Sequence, residues 1–151
     1  MKNAHSNRNG LFLIAALLAG IVVFASHPCC ADDGDVSSMI SEGHKLVKQQ
    51  RYQEATQIFA AARRKYPGSP LPDAALGAMF LKMREYSEAE IYLKQAESRD
   101  PNLIPVQFTL ALLYEKLGNK NMAIQYWNKL KDKEEFKEKA KRHLKYIGEM
   151  Q

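Results

Sequence analysis

A 34-residue periodicity governs most of this chain. Ala55, Ala89 and Ala123 stand 34 residues apart, and Gly43, Gly77 and Ala111 keep the same interval. Tyr52 matches Tyr86, Pro67 matches Pro101, and Ala62 matches Ala96, with Leu130 in third place. Two sets of large residues hold register as well: Leu46, Phe80 and Tyr114, then Phe59, Leu93 and Trp127. A unit this short cannot bury its apolar faces alone, so a period of this length implies a stacked array that needs about three units to be stable. Three copies, at 36–69, 70–103 and 104–137, account for 102 residues, with a short lead at 32–35 before them.

Within each copy the apolar spacing changes stripe once, which predicts two helices and a turn. The first copy has Ile40, Gly43, Leu46 and Val47, then the polar break KQQRY, then Ala55, Ile58, Phe59 and Ala62 before Tyr66-Pro67-Gly68. Leu76, Gly77, Phe80 and Leu81 open the second copy, followed by Ala89, Tyr92, Leu93 and Ala96 and the stop Asp100-Pro101-Asn102. In the third, Phe108, Ala111, Tyr114 and Leu117 lead to Gly118-Asn119, then Ala123, Tyr126, Trp127 and Leu130. Helices approach closely only where side chains are small, so Gly43, Gly77 and Ala111 are expected to face Ala55, Ala89 and Ala123. The large Phe59, Leu93 and Trp127 are then expected to fill the space between neighbouring repeats. A last helix, about 134–149 within a final 134–151 segment, carries Phe136, Ala140, Leu144 and Ile147 on one face and is expected to cap the array.

This pattern resembles the tetratricopeptide repeat family. The residues that carry the resemblance include Gly43, Tyr52, Ala55 and Pro67 in the first repeat, Gly77, Tyr86, Ala89 and Pro101 in the second, and Ala111, Tyr114, Ala123 and Trp127 in the third. Asp73 stands where the family places a bulky first-helix residue, and Lys120 and Glu135 replace the Tyr and Pro of the third repeat. The resemblance implies an all-α right-handed superhelix whose first helices line a concave groove for a peptide or partner helix. Carried over by register, that groove comprises Ile40, His44, Val47 and Lys48, then Ala74, Ala78, Leu81 and Lys82, then Phe108, Leu112, Glu115 and Lys116. Its wall is largely apolar, which favours an amphipathic helix or an extended apolar segment. Some family members grip a carboxylate terminus with Asn in this groove; His44, Ala78 and Leu112 occupy those places here. Lys48, Lys82 and Lys116 form a 34-residue ladder that either edges the groove against an acidic partner or complements helix C-termini.

The N-terminus reads as a targeting segment. Met1–Gly10 is polar and basic, Leu11–Ala25 is an unbroken apolar run, and Asp32, Asp33 and Asp35 follow a small-residue stretch. Fifteen helical residues span roughly 22 Å against a hydrocarbon core of ~30 Å. A cleaved signal over 1–31 is therefore expected, ending after Ala31 or, alternatively, after Ala25. Neither Cys29 nor Cys30 has the small preceding residue that lipidation needs. The expected destination is the periplasm or cell envelope of a Gram-negative bacterium. The other reading is a membrane-surface adaptor, held by an uncleaved segment and the basic last helix, whose Lys137, Lys141 and Lys145 could meet anionic lipid.

Composition excludes several classes. With 46% apolar and 26% charged residues, the chain is neither wholly disordered nor polytopic. A net charge of +5 names no partner, and nucleic acid is not expected for an exported chain. His44 and His143 are 99 residues apart, no nucleophile elbow or phosphate loop is present, and Glu134 and Glu135 point apart on a helix. No catalytic residue, metal or cofactor is therefore expected; the chain reads as a non-enzymatic protein-binding module.

Overall fold

The computed structural model describes residues 33–149, with side chains from Asp35 onward. The signal segment, both candidate cleavage bonds and the cysteine pair lie outside the described residues. Among those described there are seven helices and no strand: α1 (Asp33–Lys48), α2 (Tyr52–Lys65), α3 (Leu71–Met83), α4 (Tyr86–Arg99), α5 (Ile104–Lys116), α6 (Lys120–Leu130) and α7 (Lys137–Glu149). None of them is long and apolar enough to cross a membrane. Successive helices pair as hairpins, α1 with α2, α3 with α4 and α5 with α6, while the first helices α1, α3 and α5 lie against one another in series.

Each hairpin turns in the same way. A residue one or two steps past the first helix takes a left-handed conformation at Gln50 (φ 62), Arg84 (φ 65) and Gly118 (φ 69), positions one repeat apart. The next amide then closes the turn on the helix: Arg51 donates to Leu46 O at 3.0 Å, Glu85 to Phe80 O at 3.0 Å and Asn119 to Tyr114 O at 2.9 Å. This six-to-one bond satisfies a carbonyl that the helix end leaves free. Only the third turn has the glycine that the conformation favours.

The helix crossings differ from the small-against-small contact expected from spacing. A methyl group at Gly43 would strike the Phe59 ring, and one at Gly77 would lie 2.5 Å from Leu93 Cγ and 3.2 Å from the Ala89 carbonyl oxygen. The glycines therefore make room chiefly for the large second-helix residues within their own repeats, and alanine enters through its backbone. Phe59, Leu93 and Trp127 are fully buried, as are Ala55, Ala89 and Ala123. Ala111 is also buried, whereas Pro67 and Pro101 sit exposed in the turns between repeats. Between repeats, polar contacts join the apolar packing. Arg63 on α2 and Arg99 on α4 clasp the fully buried Asp73 of α3. Lys94 of α4 meets the Tyr126 hydroxyl of α6 at 2.5 Å.

Both ends depart from the sequence-derived boundaries. α1 begins at Asp33, inside the lead, because acids suit a helix N-terminus and Asp35 accepts from Lys65 and Tyr66 at the end of α2. Those two hydrogen bonds hold the Asp35 carboxyl below the usual carboxylate range. At the other end, α7 begins at Lys137 rather than Glu134. Residues 131–136 form turns instead, with Phe136 N donating to Lys133 O at 2.8 Å, and this places the Phe136 ring 5.2 Å from Phe108. Ala140 and Ile147 of α7 are buried and stand one period after Val106 and Leu113, so α7 occupies a fourth first-helix position. Lys145 falls where the earlier repeats have Gly43, Gly77 and Ala111, and its side chain is 77% exposed. A lysine there is too large for the close helix crossing made in the other repeats.

Candidate functional site

Side chains along the first helices leave three open hollows of similar size, besides a smaller one of about 130 Å³ among α5, α6 and α7 that Glu115 and Lys116 line. Between α1 and α3 a hollow of about 460 Å³ is lined by Ser37, Ile40, Ser41, His44, Lys45, Lys48 and Leu71. Between α3 and α5 the next, about 440 Å³, is lined by Leu81, Lys82, Arg84, Tyr86, Leu112 and Lys116. The third, about 400 Å³, lies between α5 and α7 and is lined by Phe108, Lys139, Arg142, His143 and Tyr146. Each of these three has apolar surface and cations, and none has an aspartate or glutamate in its lining.

The sequence-derived groove residues distribute unevenly over these hollows. Ile40, His44 and Lys48 line the first, Leu81, Lys82, Leu112 and Lys116 the second, and Phe108 the third. Ala74 and Ala78 are half-buried on α3 and belong to none of the three linings. Two residues do not face the groove as expected. Val47 is 8% exposed and packs with Phe59, Leu76 and Met79 in the core of the first two repeats. Glu115 is turned into the α5–α6–α7 junction, where it accepts from Trp127 Nε1 at 2.6 Å and lies 2.8 Å from His143 Nδ1.

The lysine ladder is not uniform either. Lys82 Nζ donates to the Val47 carbonyl at 3.2 Å, so it completes the C-terminus of the preceding repeat's first helix rather than its own. Lys48 and Lys116 are exposed and reach no carboxylate among the described residues. Lys48 acts on His44 instead. Desolvation of the imidazole, together with the nearby Lys48 charge, holds its pKa below the ordinary histidine value. The ring packs edge-on against Phe59, with centroids 5.6 Å apart.

Reading by motif missed the contribution of α7. Arg142 and Tyr146 stand one period after Phe108 and Leu112, which puts them in the groove register. Tyr146 is 58% exposed beside the third hollow. Extending the period by one more step would have found both. Treating the last helix only as a cap hid them. No group of three or more His, Cys, Asp or Glu among the described residues is arranged to hold a metal ion. The surface is thus suited to hold a chain segment by apolar contact and charge.

Comparison with known proteins agrees with this architecture. The family described as Tetratricopeptide repeat matches residues 74–103 and 104–132. No curated protein sequence matches the chain. Among solved structures, the first such domain of Spaghetti (RPAP3), bound to an HSP90 peptide, superposes with a TM-score of 0.69 at 16% identity, covering 77% of this chain and 92% of that one. The Arabidopsis OM64 domain gives 0.68 at 16% identity over 78% and 98%. The Yersinia enterocolitica type III secretion translocator chaperone SycD gives 0.66 at 19% identity over 76% and 92%.

Proposed function

We propose that this chain, which belongs to the tetratricopeptide repeat family, is an exported, non-enzymatic interaction module that holds a helix or extended segment of another protein along its first helices. The observation that carries this reading is the series of three open hollows, each with apolar surface, repeated at successive first-helix positions. Apolar pockets in a row bind alternate side chains of a chain segment, while the neighbouring polar rims set its register. The structural neighbour solved with a peptide supports binding of that general kind, since its fold is shared. Export, to the envelope of a Gram-negative bacterium, rests on the basic, apolar and small-residue order of residues 1–31.

Ala78→Arg tests the groove. Residues in the same register elsewhere are His44, Leu112 and Tyr146, so the fold accommodates a larger side chain at this place. The variant is expected to keep its helical content by circular dichroism and to lose crosslinking to a partner from a photoreactive residue at Lys116 in intact cells. A discrete adduct formed instead from Ile91, which is 56% exposed on α4, would move the working surface to the second helices. N-terminal sequencing of the processed protein tests export: a start at Asp32 is expected, and retention of Leu11–Ala25 would overturn it.

A further inference from the structure

Two sets of cations in this molecule behave differently. On the second helices, Arg63, Lys65, Lys94, Arg99 and Lys129 each reach a carboxylate of the chain. Of the lysines and arginines that line the three first-helix hollows, none makes an ion pair among the described residues; His143, in the third, lies against Glu115. Glu115, the carboxylate on α5 that could have offset Lys116, is taken by Trp127 and His143. Aligned positive charges without counter-charges repel one another, a cost to the folded state that an anionic ligand removes. Desolvation chiefly lowers the pKa of His44, and the Lys48 charge beside it adds to the shift.

From this asymmetry we infer that the groove takes an acidic segment of a partner protein, its apolar side chains in the three hollows and its carboxylates against Lys48, Lys116 and Arg142. This rests on the groove reading above and adds the partner's chemistry. It also gives α7 a second role. Arg142 and Tyr146 form a fourth step of the wall, so the helix that ends the array extends the binding face. Such charge complementarity speeds encounter and excludes basic competitors, while the apolar contacts hold the docked segment. A carboxylate terminus is not required, because His44, Ala78 and Leu112 replace the groups that would clamp one.

The test is selection of random displayed peptides on the immobilised full chain, followed by affinity measurements with the selected peptides. Sequences that mix Asp or Glu with large apolar residues are expected, with binding that weakens as ionic strength rises. The double variant Lys48→Glu, Lys116→Glu should weaken capture roughly tenfold, and Arg142→Glu several-fold, with helical content unchanged. Lys145→Glu, on the exposed side of α7 and outside the hollows, should leave capture as it was. Selection of neutral or basic peptides, or indifference to all three reversals, overturns the inference. If capture then still fails in Ala78→Arg, the groove reading stands without its acidic partner. If Ala78→Arg also captures normally, the groove reading itself falls. Binding of phosphatidylserine vesicles that is lost in Arg142→Glu, with no acidic peptide selected, would assign these cations to a lipid surface and overturn the proposal.

Discussion

His44 and His143 each lie against the large buried ring beside them, at opposite ends of the array. His44 meets Phe59 edge-on, at 5.6 Å and 66° between ring planes. His143 stacks on Trp127, at 4.2 Å and 16°. Their polar surroundings are opposite. His143 lies 2.8 Å from the Glu115 carboxylate, which also accepts from the Trp127 indole. His44 has Lys48 as its charged neighbour. A histidine against a buried ring is thus a fastening at the C-terminal end, where α7 must be held on, and part of an open, cationic surface at the N-terminal end. An array at the minimum number of repeats has to seal one apolar end without losing its binding face, and it does so by changing the charge beside a histidine.

The most severe way to break this comparison is Trp127→Ala. Trp127 is fully buried, and its removal opens the core shared by α5, α6 and α7 and leaves the Glu115 carboxylate with His143 but without the indole donor. Loss of a buried large aromatic costs ~3–5 kcal/mol. The fall should appear as an earlier midpoint in a urea melt followed by circular dichroism. Indole fluorescence cannot serve as the probe, because the chain has one Trp.

Smaller effects should separate the first two repeats. In Gly77→Ala the new methyl meets Leu93 and the Ala89 carbonyl, and backbone cannot yield cheaply, whereas in Gly43→Ala only the Phe59 ring stands in the way. Both overpack a helix crossing, at ~1–3 kcal/mol. Gly77→Ala is expected at the upper end of that range and Gly43→Ala at the lower, as read by paired denaturant melts. An equal loss in both would mean that the ring of Phe59 is as firmly fixed as the Ala89 backbone.

A gain is expected at the first turn. Gln50 holds the left-handed conformation that Gly118 holds in the third repeat. Gln50→Gly removes the Cβ penalty and should stabilise by roughly 0.5–1 kcal/mol, whereas Gly118→Ala should cost about 1 kcal/mol. Opposite signs in the two melts would support a common turn geometry; equal signs would refute it.

These positions also mark how far the sequence could be read. Helix pairing was legible because small, large and turn residues recur at one interval, and periodicity survives without knowledge of contacts. The turn after α1 was legible as a break in apolar spacing, but its left-handed residue was not, because Gln50 gives no signal where Gly118 does. Asp73 was legible only as a departure at a bulky position. Its partners, Arg63 and Arg99, come from two different helices, and no local pattern announces a clasp assembled across repeats. Within the candidate site, register located residues at all three hollows. It misplaced Val47 and Glu115, because register gives the face of a helix and not what the neighbouring helix covers. The Arg142–Tyr146 wall was within reach of the same period, but amphipathicity drew attention to the buried side of α7.

The smallest expected effect uses the His44 half of the comparison. Its pKa is lowered in the folded protein, so the unfolded chain binds the proton at higher pH than the native one does. The neutral imidazole's contribution to stability is therefore complete above the ordinary histidine pKa of about 6.5. It declines as pH falls below that value and is gone once pH has passed through the lower folded pKa. Carboxylates add their own acid sensitivity, so the informative quantity is a difference between proteins. Urea midpoints measured from pH 8 to pH 5 should fall slightly less in His44→Gln than in the parent chain, with the gap opening below about 6.5. His44 lies at the surface, where solvent and salt screen its interaction with Lys48, so the gap should be small and should narrow further as salt is added. Lys48→Gln should reproduce part of it, because it removes the charge but leaves the ring against Phe59. A gap that opens above pH 7 would place its origin outside His44, and one that survives unchanged at high salt would assign it to desolvation of the ring alone and remove the electrostatic contrast drawn between the two ends.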